Sequence, residues 1–231
     1  METITKAWWH GQVPEGRPCQ RSIGLLNEHR ARWGTSGNCF DLLFWLMDAY
    51  RQNRIDCFAI GTPDDHVAVV ALDEHGDKYL CDLGDQWLQP ALIDPASPRY
   101  DGSTVLEQFF PGARVRLRCE CRILHIEYLR PGGHVSSQDF DLTPLNEGEL
   151  VARAEATQHN PWGALCERRI ELDGQRVHWE FENDKSFFST NEGLMHEPPL
   201  SSTEEWAERI ADRSGIHRDV VIAALEKYKH L

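Results

Sequence analysis

The segment from Cys39 to Arg54 constrains the fold of this chain more than any other, because apolar side chains cover nearly every face of the helix that it predicts. Such a helix is expected to be central and buried. The turn before it is small and polar, and Ser36 or Asn38 can cap its first turn. The predicted core helix therefore begins at a thiol, which is either packing material or a nucleophile.

The pattern of apolar residues changes after this helix to that of β-strands. Strands are predicted at Cys57–Ile60, His66–Leu72, Lys78–Leu83 and Arg114–Ile123. The alternation slips by one position after Ile123, which predicts a bulge or a sharp bend of the kind found in closed or strongly curved sheets. The Pro-rich stretch Gln86–Pro111 is predicted to be a long irregular loop.

The C-terminal third of the sequence predicts a hairpin followed by two helices. Two strands, Ala164–Leu172 and Gln175–Glu182, flank an Asp-Gly turn. A Ser-Thr-Glu-Glu capping box that starts at Ser202 precedes a helix at Trp206–Arg213, with Gly215 at its C′ position, and a second helix covers Asp219–Lys229. One further short helix is predicted near the N-terminus, at Ile23–Trp33.

Composition narrows the class of protein. A chain of 231 residues with 41% hydrophobic residues and eight tryptophans can bury a substantial core. Its formal net charge of -13 argues against a nucleic acid or an anionic membrane as partner, because both select a cationic surface. The cysteines number seven, an odd count, which indicates reduced thiols rather than a disulfide framework.

Signals for export or membrane insertion are missing from the sequence. No apolar run reaches the roughly 18 residues of a membrane span. The N-terminal stretch METITKAWWHGQ lacks the basic start and the apolar segment of a signal peptide. These two observations lead us to expect a cytoplasmic protein.

A predicted hairpin brings a histidine and an aspartate together. The strands His66–Leu72 and Lys78–Leu83 are separated by a polar turn that contains one glycine. If the turn is centred near Glu74, His66 lies directly opposite Asp82, and directly opposed residues share a face with Cβ atoms about 4.5–5.5 Å apart. At that separation a carboxylate can accept a hydrogen bond from an imidazole.

The position of Cys39 at a helix start suits a nucleophile. Helix N-termini favour anions, and an imidazole held by a carboxylate would stabilise a thiolate and move its proton. Taken singly, a cysteine at the edge of an apolar helix, a strand histidine and an aspartate near a glycine are mostly structural. Their combination favours a triad of Cys39, His66 and Asp82. The N–H of Cys39 is a candidate oxyanion donor, and the sequence identifies no second donor.

Three motifs resemble those of the arylamine N-acetyltransferase family. They are Ser36-Gly37-Asn38-Cys39-Phe40-Asp41, His66-Val67-Ala68-Val69-Val70 and Tyr79-Leu80-Cys81-Asp82-Leu83-Gly84. The resemblance implies an α+β fold with the cysteine-protease-like core that this family shares with transglutaminases. It implies a helical part at 1–56, a β-barrel or curved antiparallel sheet at 57–155, and a C-terminal α/β part at 156–231.

The resemblance also implies an activity. Family members transfer an acetyl group from acetyl-CoA to the cysteine and then to an arylamine or hydrazine nitrogen, by a ping-pong mechanism. It implies Cys39, His66 and Asp82 as catalytic residues, acetyl-CoA as the co-substrate, a small amine as the acceptor, and no metal. The residues beside the nucleophile are implied to bind substrate, namely Thr35, Ser36, Gly37, Asn38 and Phe40.

The sequence departs from the family pattern beside the nucleophile. Thr35 stands where the family usually has arginine, Ser36 replaces the first glycine, and Asp41 replaces a glutamate or glutamine. The segment before Cys39 is shorter than usual, so part of the helical cover is expected to be missing, which would open the site to a larger acceptor. Two alternatives remain: a thiol amidase or hydrolase on the same core, and a catalytically silent relative that binds a ligand or protein.

Two other groups of residues are interpreted structurally. Cys119 and Cys121, with His125 nearby, have metal-ligand residue types, but alternation places both cysteines on an inward, apolar face and no second close pair exists. The arginines of Arg114–Arg122 could bind the phosphates of CoA. A row of this kind is more often a solvated strand face, which is the interpretation adopted here.

Overall fold

The computed structural model describes residues 1–160 and 163–229. The α-helices in this part of the chain are α1 (Thr5–His10), α2 (Ile23–Trp33), α3 (Cys39–Gln52), α4 (Glu147–Gln158), α5 (Thr203–Ser214) and α6 (Arg218–Tyr228). The first strands are β1 (Cys57–Gly61), β2 (Val67–Leu72), β3 (Lys78–Cys81), β4 (Ala91–Leu92), β5 (Val105–Phe110), β6 (Ala113–Glu120), β7 (Ile123–Leu129) and β8 (Val135–Asp141). The remaining strands are β9 (Leu165–Leu172), β10 (Gln175–Glu182), β11 (Lys185–Thr190) and β12 (Gly193–His196). None of the described helices has both the length and the apolar character needed to cross a membrane.

Strands β1 to β8 form an antiparallel sheet of eight strands, in the order β4-β3-β2-β1-β8-β7-β6-β5. The sheet curls into a half-barrel, which confirms the predicted curved antiparallel sheet. Strand β2 lies inside it and is buried on both faces. Val67 and Val69 pack with Phe40 of α3 on one face, whereas Ala68 and Val70 belong to the core on the other.

Helix α3 begins at Cys39, as predicted, and is capped by Asn38. The Asn38 side chain accepts the N–H of Asp41 at 3.0 Å, and the Asp41 carboxylate accepts the N–H of Asn38 at 3.1 Å. The predicted burial holds for the face of α3 that packs on the sheet, where Phe40, Leu43 and Met47 are buried, but not for the opposite side. Its residue Trp45 is 39% exposed on the other side.

The β2–β3 hairpin has a different register from the predicted one. Its pairing centres the turn on His75 rather than on Glu74, so the position opposite His66 is Gly84. The prediction that His66 and Asp82 oppose each other directly is therefore wrong. Asp82 lies two positions away along the same face, and diagonal neighbours of this kind are still within reach of long side chains.

The slip in alternation after Ile123 is a chain reversal rather than a bulge. Strand β6 ends at Glu120, which pairs with Ile123 as the first residue of β7. Cys121 in the turn adopts a φ of 57° and is exposed. Of the two predicted alternatives, the bulge is wrong and the sharp bend is observed, because two residues suffice to reverse the strand. The predicted inward position of Cys121 is also wrong. Cys119 remains partly buried, and its thiol donates to the carbonyl of Ile93 at 3.1 Å.

The stretch Gln86–Pro111 is less irregular than predicted. It contains β4, which pairs with β3, and β5, which forms the opposite edge of the half-barrel. The arginines of the neighbouring β6 each have a carboxylate nearby, as expected for a solvated strand face. The pairs are Arg114–Glu107 at 3.7 Å, Arg116–Glu127 at 3.0 Å, Arg118–Glu120 at 3.1 Å and, from the turn, Arg122–Asp141 at 3.3 Å.

Strands β9 to β12 form a second antiparallel sheet, in the order β12-β11-β10-β9, with α5, α6 and α1 packed around its core. The predicted hairpin and the two predicted helices are confirmed here. Ser202 caps α5 in a capping box, and Gly215 ends it with a φ of 76°. The division into parts at 1–56, 57–155 and 156–231 stays a prediction, and residues 161, 162, 230 and 231 of the last part lie outside the described residues.

Candidate active site

Cys39 lies at the N-terminus of α3, where the helix leaves the turn that caps it. Its thiol is half-buried, and Sγ is 3.9 Å from the carbonyl oxygen of Asp65. The first helical N–H groups and the positive end of the helix dipole are directed toward this end of α3. The fold therefore places the sulfur at the positive end of a helix.

The loop that leads to Cys39 is held by a carboxylate from the start of the chain. Glu2 Oε1 accepts the N–H groups of Ser36 at 3.2 Å and Gly37 at 2.7 Å. Gly37 has a φ of 86°, and a Cβ placed on it would lie 2.3 Å from a carboxylate oxygen of Asp41. Only glycine fits this position, so the loop and the helix start are fixed together.

A buried ion pair supports the same turn. Arg21 Nη2 donates to Asp41 Oδ2 at 2.6 Å, and both side chains are almost completely buried. Gln20 donates to the other oxygen of Asp41 at 2.8 Å, and Gln158 of α4 approaches at 3.4 Å. Sequence reasoning missed Arg21, because nothing in the local pattern links it to a residue of the next helix.

Removal of the Asp41 carboxylate is expected to destabilise the protein strongly. Asp41→Ala leaves the Arg21 guanidinium buried without its partner and also removes half of the capping box. The expected loss is about 3–5 kcal/mol in the free energy of unfolding, measured by urea denaturation. Asp48→Ala on the same helix is the control, because Asp48 is only partly buried and its carboxylate accepts from the exposed Gln52. A loss as small as that of the control would contradict the prediction.

His66 and Asp82 meet beside Cys39. His66 Nε2 is 2.8 Å from Asp82 Oδ2, and the other oxygen of Asp82 accepts the N–H of Asp85 at 2.9 Å. The Cys39 side chain lies beside the same imidazole, since both border the position of Gly84, and it contributes to the raised pKa of the ring. Because Asp82 occupies Nε2, Nδ1 is the nitrogen left for the thiol. The imidazole ring also packs edge-on against Phe140, with centroids 5.7 Å apart.

The charges around His66 favour its protonated form. Burial alone would lower the pKa of the imidazole, but the charge of Asp82 and its hydrogen bond, with smaller contributions from Cys39 and Asp85, raise that pKa well above its ordinary value. A positively charged imidazole beside a thiol stabilises the thiolate. The three side chains can therefore hold a thiolate–imidazolium pair, with Asp82 as the group that orients the ring.

Gly84 allows the side chains of His66 and Cys39 to lie close together. A Cβ on Gly84 would lie 2.5 Å from His66 Cε1 and 2.9 Å from Cys39 Cβ. The glycine is needed for close contact rather than for an unusual backbone angle. The sequence motif contained this residue, but its role becomes visible only in three dimensions.

A second carboxylate, Asp85, faces His66. Its Oδ1 is 3.8 Å from His66 Nε2, and its other oxygen accepts the hydroxyl proton of Tyr128. Burial and the nearby charge of Asp82 raise the pKa of Asp85 to about 6, although His66 and Tyr128 act in the opposite direction. Sequence reasoning did not single out Asp85 or Tyr128, because their contact joins the turn after β3 to strand β7, which are far apart in the sequence.

Neutralising Asp85 is expected to stabilise the protein above pH 7. A carboxyl whose pKa is higher in the folded than in the unfolded state favours folding below its unfolded pKa of about 4, and that contribution is lost as the pH rises through about 6. Asp85→Asn keeps an acceptor for Tyr128 and should raise the free energy of unfolding at pH 8 by about 1–3 kcal/mol. Urea denaturation of the variant and the wild type at pH 5 and pH 8 measures this change in the free energy of unfolding. Asp64→Asn is the exposed control, and equal effects at both pH values would count against this assignment.

A cavity of about 830 Å³ opens beside His66, between the half-barrel and the second sheet. Its wall includes His66, Asp85, Tyr128, Arg130 and His178. The predicted substrate-binding residues lie elsewhere among the described residues. Phe40 is fully buried in the core under α3, and Thr35, Gly37 and Asn38 are buried in the loop, with Ser36 half-buried. Their role in substrate binding stays a prediction.

A cluster of Glu167, His178 and Glu180 on the cavity wall has ligand types suited to a metal. His178 Nε2 is 3.4 Å from Glu167 and 3.3 Å from Glu180, while its Nδ1 contacts the guanidinium of Arg169. Because Arg169 can only donate, Nδ1 must accept and Nε2 carries the proton. No lone pair then points at the carboxylates, so this cluster is a hydrogen-bond network rather than a metal site.

Comparison with known proteins gives the fold. No protein-family profile matches the chain, and no curated protein sequence matches it. The arylamine N-acetyltransferase of Mycobacterium marinum, solved in complex with CoA, has a TM-score of 0.74 at 14% identity, over 98% of this chain and 86% of its own. The arylamine N-acetyltransferase of M. smegmatis has a TM-score of 0.74 at 15% identity, over 97% and 85%. An enzyme of the same kind from Bacillus cereus, described as having a unique Cys-His-Glu catalytic triad, has a TM-score of 0.67 at 14% identity, over 94% and 85%. The chain therefore has the fold of the arylamine N-acetyltransferases.

Proposed function

We propose that this protein is an acyltransferase that uses Cys39, His66 and Asp82 as a catalytic triad. The observation that carries the proposal is that His66 is bonded to Asp82 and lies beside Cys39 at the start of a helix, with its ring on the wall of a large cavity. The shared fold supports it, because the sequence motifs that resemble the arylamine N-acetyltransferases coincide with these three side chains. The proposed reaction is N-acetylation, with acetyl-CoA as donor.

The first half of the reaction acylates the cysteine. The Cys39 thiolate attacks the thioester carbonyl carbon, and the N–H of Cys39 is placed to donate to the developing oxyanion. As the tetrahedral intermediate collapses, the carbon–sulfur bond to CoA breaks and imidazolium His66 gives its proton to the leaving thiolate. The products are acetyl-Cys39 and CoA with a free thiol. Asp82 keeps the imidazole oriented while the imidazole changes from its protonated to its neutral form.

The second half transfers the acetyl group to an amine. The amine nitrogen attacks the carbonyl carbon of acetyl-Cys39, and neutral His66 accepts the proton that the nitrogen loses. Breaking of the bond to Cys39 restores the thiolate–imidazolium pair and releases the amide. An arylamine suits this step because its nitrogen is largely unprotonated at neutral pH, and a hydrazine suits it because its nitrogen is far less basic than that of an alkylamine. The mycobacterial neighbour was solved with CoA, which supports acetyl-CoA as the first substrate.

Incubation with acetyl-CoA followed by intact-mass measurement tests the proposal. We expect one acetyl adduct on the wild-type protein, mapped by peptide digestion to Cys39, together with release of stoichiometric CoA. Addition of an arylamine should remove the adduct and yield the acetylated amine. Absence of both the adduct and free CoA would refute the transferase. An adduct that decays equally fast with and without amines would instead identify a hydrolase.

Gly84→Ala is expected to reduce acetyl-enzyme formation by about 100-fold, since an added methyl group must push His66 and Cys39 apart and small misplacements of reacting groups have effects of that size. The measurement is the rate of CoA release under single-turnover conditions. Gly24→Ala is the matched control, because a Cβ at Gly24 in α2 meets nothing within 4 Å. Equal rates for the two variants would show that the contact at Gly84 is dispensable.

A further inference from the structure

We infer that His10, Cys19 and His159 form a binding site for a divalent transition-metal ion such as Zn²⁺. His10 is the last residue of α1, Cys19 lies in the segment between α1 and α2, and His159 caps the end of α4. One ligand atom from each of them lies within 4.8 Å of the other two. No residue of the proposed triad takes part, so the site is independent of the acyltransfer chemistry.

The two imidazoles already have the spacing of zinc ligands. His10 Nε2 and His159 Nδ1 are 3.3 Å apart, and the ring planes are inclined at 83°. In a tetrahedral site with Zn–N bonds of about 2.0–2.1 Å, two ligand nitrogens are separated by about 3.3 Å. A metal ion can therefore bind both nitrogens without any change in their separation, and the thiol of Cys19, which lies within 4.8 Å of both, has only a short distance to move to complete the set.

A carboxylate orients the site from behind. Glu155 Oε1 is 2.8 Å from His159 Nε2, so that nitrogen carries the proton and Nδ1 presents its lone pair to His10. Metal-binding histidines commonly have this arrangement, in which the second ring nitrogen donates to a carboxylate. The same carboxylate accepts the N–H groups of Cys19 and Gln20, each at 2.8 Å. Glu155 thus fixes both the histidine and the loop that carries the cysteine.

The charges and ligand types suit zinc. Metal binding would replace the proton of the Cys19 thiol, and the proton on His10 Nε2 would be exchanged through solvent for one on Nδ1, so that one proton is released for each ion bound. The thiolate and the nearby Glu155 carboxylate then balance the two positive charges. One sulfur and two imidazole nitrogens favour Zn²⁺ over Mg²⁺ or Ca²⁺, which prefer oxygen ligands. Since both histidines are exposed, a water molecule can complete the tetrahedron.

The experiment uses full-length protein treated with a chelator and then supplied with zinc chloride. We expect one equivalent of Zn²⁺ to bind by isothermal titration calorimetry, with one proton released in buffers of different ionisation enthalpy. Thermal unfolding should shift upward by about 5 °C or more at zinc concentrations a hundredfold above Kd. Cobalt chloride in place of zinc should give the visible absorption of a tetrahedral thiolate complex.

Variants separate this site from adventitious thiols. Cys19→Ser and His159→Asn should remove the cobalt–thiolate absorption and the thermal shift, and His10→Asn, at an exposed position, should weaken binding at least tenfold while the fold is retained. Cys121→Ser, which removes an exposed cysteine, should leave both signals intact. Absence of binding would show that the two histidines are joined by a hydrogen bond only. Binding that Cys19→Ser does not alter would also overturn the assignment.

Discussion

Cys39→Ala is expected to abolish acyl transfer while the protein remains folded. Without the sulfur no acyl-enzyme can form, and turnover should fall by roughly 10,000-fold or more, as when the nucleophile of a covalent mechanism is removed. The Cys39 side chain is half-buried and packs only at the margin of the hydrophobic core under α3. The free energy of unfolding should therefore change little. Steady-state release of CoA measures the loss, and circular dichroism with urea denaturation measures stability.

Cys121→Ala is the control for this substitution, because Cys121 is an exposed thiol in the β6–β7 turn and should be irrelevant to turnover. Retention of activity in Cys39→Ala would end the case for covalent catalysis. Loss of activity in both variants would point to a general effect of thiol removal instead of a nucleophile at Cys39.

Asp82→Asn is expected to have the second largest effect, a fall in turnover on the order of 1,000-fold. Asparagine fits the same space, but its uncharged amide no longer holds the imidazole as an imidazolium. The charge and hydrogen bond of Asp82 are what raise the pKa of His66 against the effect of burial, so the substitution should lower that pKa. The pH range over which the Cys39 thiolate and the His66 imidazolium are present together should then end at a lower pH.

Two measurements check this expectation. Proton NMR of the His66 ring should show its titration at a lower pH in Asp82→Asn than in the wild type, and iodoacetamide alkylation of Cys39 at neutral pH should slow. His75→Asn in the exposed β2–β3 turn controls for histidine assignment. An unchanged His66 titration would mean that Asp82 has a structural role only.

Local patterns predicted the elements that carry the proposed triad. The apolar run placed the start of α3 at Cys39, and alternation placed β2 and β3 within two residues of their observed ends. The predicted centre of the β2–β3 turn was wrong by one residue, because any of several residues in a five-residue turn can be its central one. The shift moves Asp82 by two positions, and a period of two returns it to the face of His66. The predicted contact between His66 and Asp82 is therefore still possible in the observed register. A register shift of one residue would have placed Asp82 on the opposite face of the sheet.

Contacts between distant segments were beyond the sequence. The Arg21–Asp41 ion pair and the bonds from Glu2 to the turn before Cys39 join segments whose spacing carries no periodic signal. The same holds for Asp85 and Tyr128, whose hydrogen bond joins the turn after β3 to strand β7. A single sequence encodes such pairs through the packing of the whole chain, and no local rule reveals them.

Strand β2 has one further consequence. Its alternate side chains belong to two different hydrophobic cores, one shared with α3 and one inside the half-barrel, and His66 directly precedes it. To release a β2 amide to solvent, both cores must come apart, which makes local fluctuation costly. Hydrogen–deuterium exchange should therefore be slowest at Val67–Val70. Because His66 directly precedes this segment, the position of its ring would be fixed by the most slowly exchanging backbone of the molecule.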